Sequence, residues 1–185
     1  EAKLGCVFTQ LGLDRQGRPQ RDPDSTTYVG AIESSELFGW RIYAEAVRRG
    51  LLQTQEVIAL TDGARYNHSI VRTHFLTALH IVDLFHAYEH LTTVANILWG
   101  PEAKAPQAWC DLLEAGEIAS LVRSAGKRVP SSSRNKKPLL KALHYFEENA
   151  AHMRYAEFRK KKYFVGSGVI EAGCRTVIGQ RLKQS

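Results

Sequence analysis

Cysteine is scarce in this chain. Three are present in 185 residues, Cys6, Cys110 and Cys174, in unrelated contexts. No two form a C-x-x-C pair, and an odd number spaced so widely argues against a disulfide framework. A reducing cytosol is the expected compartment. Long apolar runs are also missing: none approaches the ~20 residues of a membrane helix, so no membrane partner is expected. No secretory leader precedes the first elements. There is no initiator Met, the chain opens on Glu1-Ala2-Lys3, and no helix stop signal precedes Ser185. Both ends read as cut from something longer. No internal repeat is present. What remains is the composition of a soluble globular protein, 44% hydrophobic and 24% charged, long enough for one domain with a core. The formal charge of +6 is mildly basic; it permits nucleic-acid binding without demanding it.

The patterning divides the chain. Leu4–Thr9 and Thr26–Ile32 are rich in β-formers and read as an antiparallel hairpin. The tip between them, Asp14–Ser25, reads as turn and charge; its Arg15, Arg18 and Arg21 either touch a phosphate backbone or are simply solvated. Ser34 or Ser35 caps a helix to Arg49, closed by Gly50. Glu56–Thr61 and Leu79–Val82 are short apolar runs of the kind buried in parallel sheets. A short helix, Tyr66–His74, lies between them, and a long one, Leu84–Leu98, follows. This alternation predicts an α/β fold, a mixed sheet flanked by helices. From Pro101 the strand pattern stops. Gln107–Ala125 reads as a helix, Lys127–Pro138 as a basic linker, and Leu139–Lys162 as a second helix. The expected organisation is a core over 1–100, an all-helical insertion over 101–162, and a final core helix over 163–185.

Carboxylates stand at three marked places. Asp62 ends the first parallel strand, followed by Gly63. In α/β sheets, sites lie beyond the carboxyl ends of strands. Asp62 presents a hard oxygen donor to a metal there, or caps the next helix, while Gly63 lets a substrate backbone come close. Asp83 ends the next strand, with His86 three residues on and His90 one turn further. Asp83 fits an N-cap, with the histidines partly buried. The third place is Gly166-Ser167-Gly168. Ser167 there suits an N-cap, and Val169, Ile170, Cys174, Val177, Ile178 and Leu182 make a helical stripe. Glu171 sits beside the stripe, with Arg175, Arg181 and Lys183 beyond. A carboxylate near a glycine hinge, followed by cations, suggests metal and phosphate; the same residues also suit an ordinary amphipathic helix.

Two further signals compete. His86-Ala87-Tyr88-Glu89-His90 matches the H-x-x-E-H pattern of zinc proteases, with two histidines as ligands and Glu89 as base. The basic stretches Lys127, Arg128, Arg134, Lys136, Lys137 and Arg159, Lys160, Lys161, Lys162 read as phosphate contacts of salt-dependent, sequence-independent affinity, or as solvated surface. Tyr145, Tyr155, Tyr163 and Phe164 interleave with them and can stack on bases or pack in a core. Used alone, the basic stretches would make a non-catalytic DNA-binding module.

Taken in order, Asp62-Gly63-Ala64, Asp83-x-x-His86 and Gly166-Ser167-Gly168 through Glu171 to Cys174 are familiar. So are the phrases Asp22–Gly30, Val82–Ala87 and Gly179–Ser185. The chain resembles bacterial insertion-sequence transposases of the ISKra group, allied to the Mutator-like superfamily, over nearly its whole length. That resemblance implies an RNase H-like core with a DDE triad, in which carboxylates hold two divalent ions, Mg2+ or Mn2+, for DNA cleavage and strand transfer. By position, Asp62 and Glu171 are the second and third carboxylates and the metal ligands. Asp83 and His86 form a supporting motif, and the helical insertion, with Arg175 and Arg181, contacts DNA. The first strand of the core, with the first triad Asp, is expected upstream of Glu1, so the fragment alone is expected to be inactive. The resemblance also implies double-stranded transposon-end and target DNA as partner, a homo-oligomer for the intact enzyme, and a bacterial cytoplasm, at the nucleoid, as location.

Overall fold

A computed structural model describes residues 2–128, 133–166 and 168 of the chain. Its elements alternate in the mixed α/β manner expected. β1 (Ala2–Val7) and β4 (Thr27–Ile32) pair antiparallel, with Ala2 opposite Ile32 and Val7 opposite Thr27. The tip between them holds more structure than its charge suggests. β2 (Gln10–Leu13) and β3 (Pro19–Arg21) form a second antiparallel pair, and a 3-10 turn spans Pro23–Ser25. The reason is local. The Asp14 carboxylate accepts from the Gln16 and Arg18 amides at 2.8 and 2.9 Å, and Gly17 takes φ 73°. An Asx turn of this kind supplies the bend that lets flanking residues pair. Arg18 is held by Asp14 at 2.8 Å, and Arg21 donates to the Thr26 hydroxyl.

β5 (Ile58–Thr61) and β6 (Leu79–Val82) pair with each other. The Leu79 amide donates to Val57 O at 2.9 Å and the Asp83 amide to Thr61 O at 2.7 Å. Both strands advance together, so the pair is parallel, as the apolar runs predict. Instead of one mixed sheet, the described residues form three two-stranded ones.

By contact density the described residues fall into two compact units. One gathers 2–59 and 64–80; the other gathers Leu60–Gly63 and Ile81–Gly166. In the first, α1 (Ser35–Arg48) starts at Ser34, whose hydroxyl accepts from the Leu37 amide at 3.3 Å, and ends before Gly50 at φ 94°. It lies against β1 so closely that a Cβ on Gly5 would meet Ile42 Cδ1 at 3.0 Å. α2 (Arg65–His74) crosses at Gly39, where a Cβ would lie 2.8 Å from His74 Nε2.

The second unit is helical. α3 (Leu84–Trp99), α4 (Gln107–Ala115), α5 (Ile118–Gly126), α6 (Ser133–Asn149) and α7 (Tyr155–Lys160) surround Leu91, Leu113, Leu121, Leu139, Phe146, Met153 and Phe158, all with no more than trace exposure. The single helix expected over 107–125 breaks at Gly116, which is left-handed at φ 79°. The helix expected from Leu139 instead begins at Ser133, with Pro138 inside it, and closes at Asn149; a 3-10 turn over Ala150–His152 separates it from α7. Three helices are cross-tied on the surface: the Tyr88 hydroxyl of α3 donates to Glu114 of α4, which accepts from Arg159 of α7 at 2.7 Å. Among the described residues no helix is long and apolar enough to cross a membrane.

Candidate functional site

Asp62 follows directly on β5, and the turn after it is set from outside. Gly63 adopts φ 80°, and a Cβ there would come within 2.9 Å of Tyr145 Oη and 3.1 Å of Asn149 Oδ1. Only glycine meets both demands. The space over Gly63, expected from the sequence to admit a substrate backbone, is therefore filled by two side chains of α6. They are fixed in turn. The Tyr145 hydroxyl donates to the Asp62 carbonyl at 2.9 Å, and Asn149, 2% exposed, donates to Tyr145 O at 2.8 Å. Asn149 lies one turn beyond Tyr145 on α6, so both reach the same point. Neither residue stands out in the sequence as a support for Asp62, because the link joins positions 83 residues apart.

Asp83 is an N-cap. Its Oδ1 accepts from the Phe85 amide at 2.7 Å and the His86 amide at 3.1 Å, and the residue is 1% exposed. This satisfies two of the unpaired amides that open α3. His86 and His90 lie one turn apart on that helix. His86 Nδ1 is 2.8 Å from Glu89 Oε2. His90 lies flat on Tyr145, with ring centres 3.5 Å apart and planes 14° from parallel.

The electrostatics bind these groups together. Burial, then the charge of His86, holds the His90 pKa below its ordinary value, against the pull of Glu89 and Asp62. Burial, then the negative charges of Asp62, Asp83 and Glu89, push the Tyr145 phenol up. Three carboxylates thus bear on one ring, and the imidazole stacked on it resists protonation. The neighbourhood of that ring holds three carboxylates, Asp62, Asp83 and Glu89, which are hard oxygen donors. It does not assemble a zinc triad: among the described residues no three ligand atoms from Asp62, Asp83, His86, Glu89 and His90 lie within 4.8 Å of one another.

The third motif arrives at the same place. The Leu84 amide donates to Val165 O at 2.8 Å, and a Cβ on Gly166 would meet Phe85 Cε2 at 2.5 Å. The chain therefore reaches its glycine hinge against the first turn of α3, next to Asp83. Glu171, Arg175 and Arg181 lie outside the described residues, as does Cys174.

The predicted phosphate contacts are spread over the second unit. Lys127 and Arg128 close α5, Lys136 and Lys137 are exposed near the start of α6, and Arg134 belongs to its first turn. Arg159, Lys160, Lys161 and Lys162 are exposed at and just beyond the end of α7. Among them, Arg159 is paired with Glu114 at 2.7 Å and Lys161 with Glu157 at 3.2 Å. Cys6 and Cys110 are free thiols; burial pushes Cys6 up to about 11, and burial together with Asp111 and Glu114 raises Cys110. Neither is poised as a nucleophile. Compared with family models, with curated proteins and with solved structures, the chain matches none.

Proposed function

We propose that this chain is part of the catalytic domain of a DDE transposase, with an RNase H-like core and a helical insertion that binds DNA. The observation that supports it is a convergence. Asp83 N–H bonds Thr61 O at 2.7 Å, and Leu84 N–H bonds Val165 O at 2.8 Å. Those two bonds bring the strand end that carries Asp62, the helix start that carries Asp83, and the hinge that leads to Glu171 to one locality. They lie at positions 62, 83 and 165 of the chain but share the surroundings of Asp83. In this reading Asp62 and Glu171 hold the divalent ions. Ions held there would supply activation of a water or 3′-hydroxyl and charge stabilisation at the leaving oxygen of phosphodiester cleavage and strand transfer.

The chain's own residues have separate roles. Tyr145 and Asn149 fix the backbone on which Asp62 stands. Asp83 anchors α3, which places His86 and His90 beside the carboxylates. A His90 held neutral leaves their negative charge available to the metal. The basic groups of the second unit neutralise DNA phosphates, and the intact enzyme acts on double-stranded transposon ends as a homo-oligomer.

The test is manganese binding, followed by electron paramagnetic resonance on the purified chain and on Asp62→Asn and Glu171→Gln variants. The expected result is weak Mn2+ binding, reduced at least tenfold by either substitution; removing one hard anionic ligand of a divalent site costs about that much or more. Binding unchanged in both variants would remove the basis of this reading.

A further inference from the structure

Trp99 closes α3 and is 45% exposed, although its partner Trp109 is 3% exposed. The two indoles stack with centres 5.4 Å apart and planes 29° from parallel. Trp109 is itself fixed, since its indole N–H donates to Ser124 Oγ at 3.0 Å. Trp99 is thus a large aromatic surface held in place from beneath and open to solvent, at a position where a polar residue would serve solubility better.

Its surroundings are cationic. The Arg128 guanidinium lies 5.7 Å from the Trp99 ring centre, at the end of α5 next to exposed Lys127. Asn135 Nδ2 donates to Ile97 O at 3.1 Å, which ties the first turn of α6 to the last turn of α3. Exposed Lys136 and Lys137 follow directly, and the start of a helix is the positive end of its dipole. Glu102 is exposed in the turn after Trp99, and Asp111 is engaged by Gln107 Nε2 at 2.9 Å.

We infer that Trp99 is a stacking platform for an unpaired nucleobase of single-stranded DNA, with Arg128, Lys127, Lys136 and Lys137 on the flanking phosphates. A rigid aromatic face beside a cationic groove is the combination that single-strand binding uses: stacking tolerates any base, and the cations follow the backbone. Arg128 serves in both parts, since it can stay on the indole as a cation–π partner or swing to a phosphate. In a duplex the bases are already stacked on each other, so only the phosphate contribution is left. The choice of DNA rests on the proposed function; the platform itself does not depend on the metal site.

Fluorescence anisotropy of a labelled oligothymidylate, in EDTA, tests this apart from the metal reading. The wild-type chain is expected to bind the single strand more tightly than the matching duplex. Trp99→Ala should weaken the single-strand affinity roughly tenfold, Trp99→Phe should restore most of it, and both should leave duplex binding within twofold. Thermal unfolding of Trp99→Phe close to wild type excludes a folding defect. Equal loss on single strand and duplex, or no loss with Trp99→Ala, would overturn the platform whatever the manganese result.

Discussion

At the scale of single residues, His90 carries a pH signal whose sign follows from its setting. Its imidazole is stacked on Tyr145, and burial together with His86 lowers its pKa. In the unfolded chain it takes up a proton near pH 6.5; in the folded chain it does so only at lower pH. Between those two values the unfolded state binds more protons, so stability rises with pH across that window. Its share of stability is complete above about pH 6.5 and falls as pH drops through the depressed folded value. His90→Phe keeps an aromatic ring on Tyr145 and removes the titration. The melting temperature of wild type should therefore drop further between pH 7.5 and 5 than that of His90→Phe. Parallel curves would show that His90 does not sense pH. The same contact marks where reading the chain locally stops working. Gly63 is legible as a turn residue, but what fills the space over it comes from Tyr145 and Asn149, and no local pattern connects those residues to position 63.

At the scale of elements, the sequence shows where helices and strands lie better than where they end. Strong local signals hold: the Ser34 cap, the Gly50 stop, the Asp83 cap and the two apolar runs that become β5 and β6 all sit where their chemistry places them. The misplaced boundaries are those decided by packing. Apolar spacing runs continuously from Gln107 to Ala125, so the sequence suggests one helix. The structure breaks it at Gly116 because the bend between the 3-10 turn and α7 lies against that point: a Cβ on Gly116 would lie 3.0 Å from Arg154 Cα and 3.1 Å from Met153 O. Pro138 misleads in the other direction. It suggests a helix start, yet it falls within α6, at the cost of one early backbone bond. The Gly116 explanation is testable. Gly116→Ala places a side chain in left-handed backbone, costing about 1–2 kcal/mol, against backbone that cannot move aside. A loss of at least about 2 kcal/mol is expected in urea denaturation. Gly126→Ala is the control. It sits at the end of α5 with nothing within 4 Å of the added methyl, so stability should hold or rise by a few tenths of a kcal/mol. Similar losses in the two variants would mean that α4 and α5 are not separated by this contact.

At the scale of the whole molecule, the surplus charge is the property that the sequence states most directly, and the structure ranks its parts. A formal +6 counts every cation alike. In the second unit they are not alike: Arg159 and Lys161 already face Glu114 and Glu157 at 2.7 and 3.2 Å, while Lys136 and Lys137 stand exposed on the first turns of α6. A cation that must leave a carboxylate to reach a phosphate gains less than one that leaves only water. If the chain binds DNA through this unit, each phosphate neutralised releases counterions, and log K falls with log salt by about 0.9 per contact on duplex DNA. Replacing both Lys136 and Lys137 with Gln should therefore make that slope shallower by about 2. The same change at Arg159 and Lys161 should alter it by less than 1, because it also frees Glu114 and Glu157. Titrations of a duplex between roughly 50 and 200 mM salt resolve the two outcomes. A slope that responds equally to both pairs would place the DNA across the end of α7 as well, and an unchanged slope for Lys136 and Lys137 would move the contact away from α6.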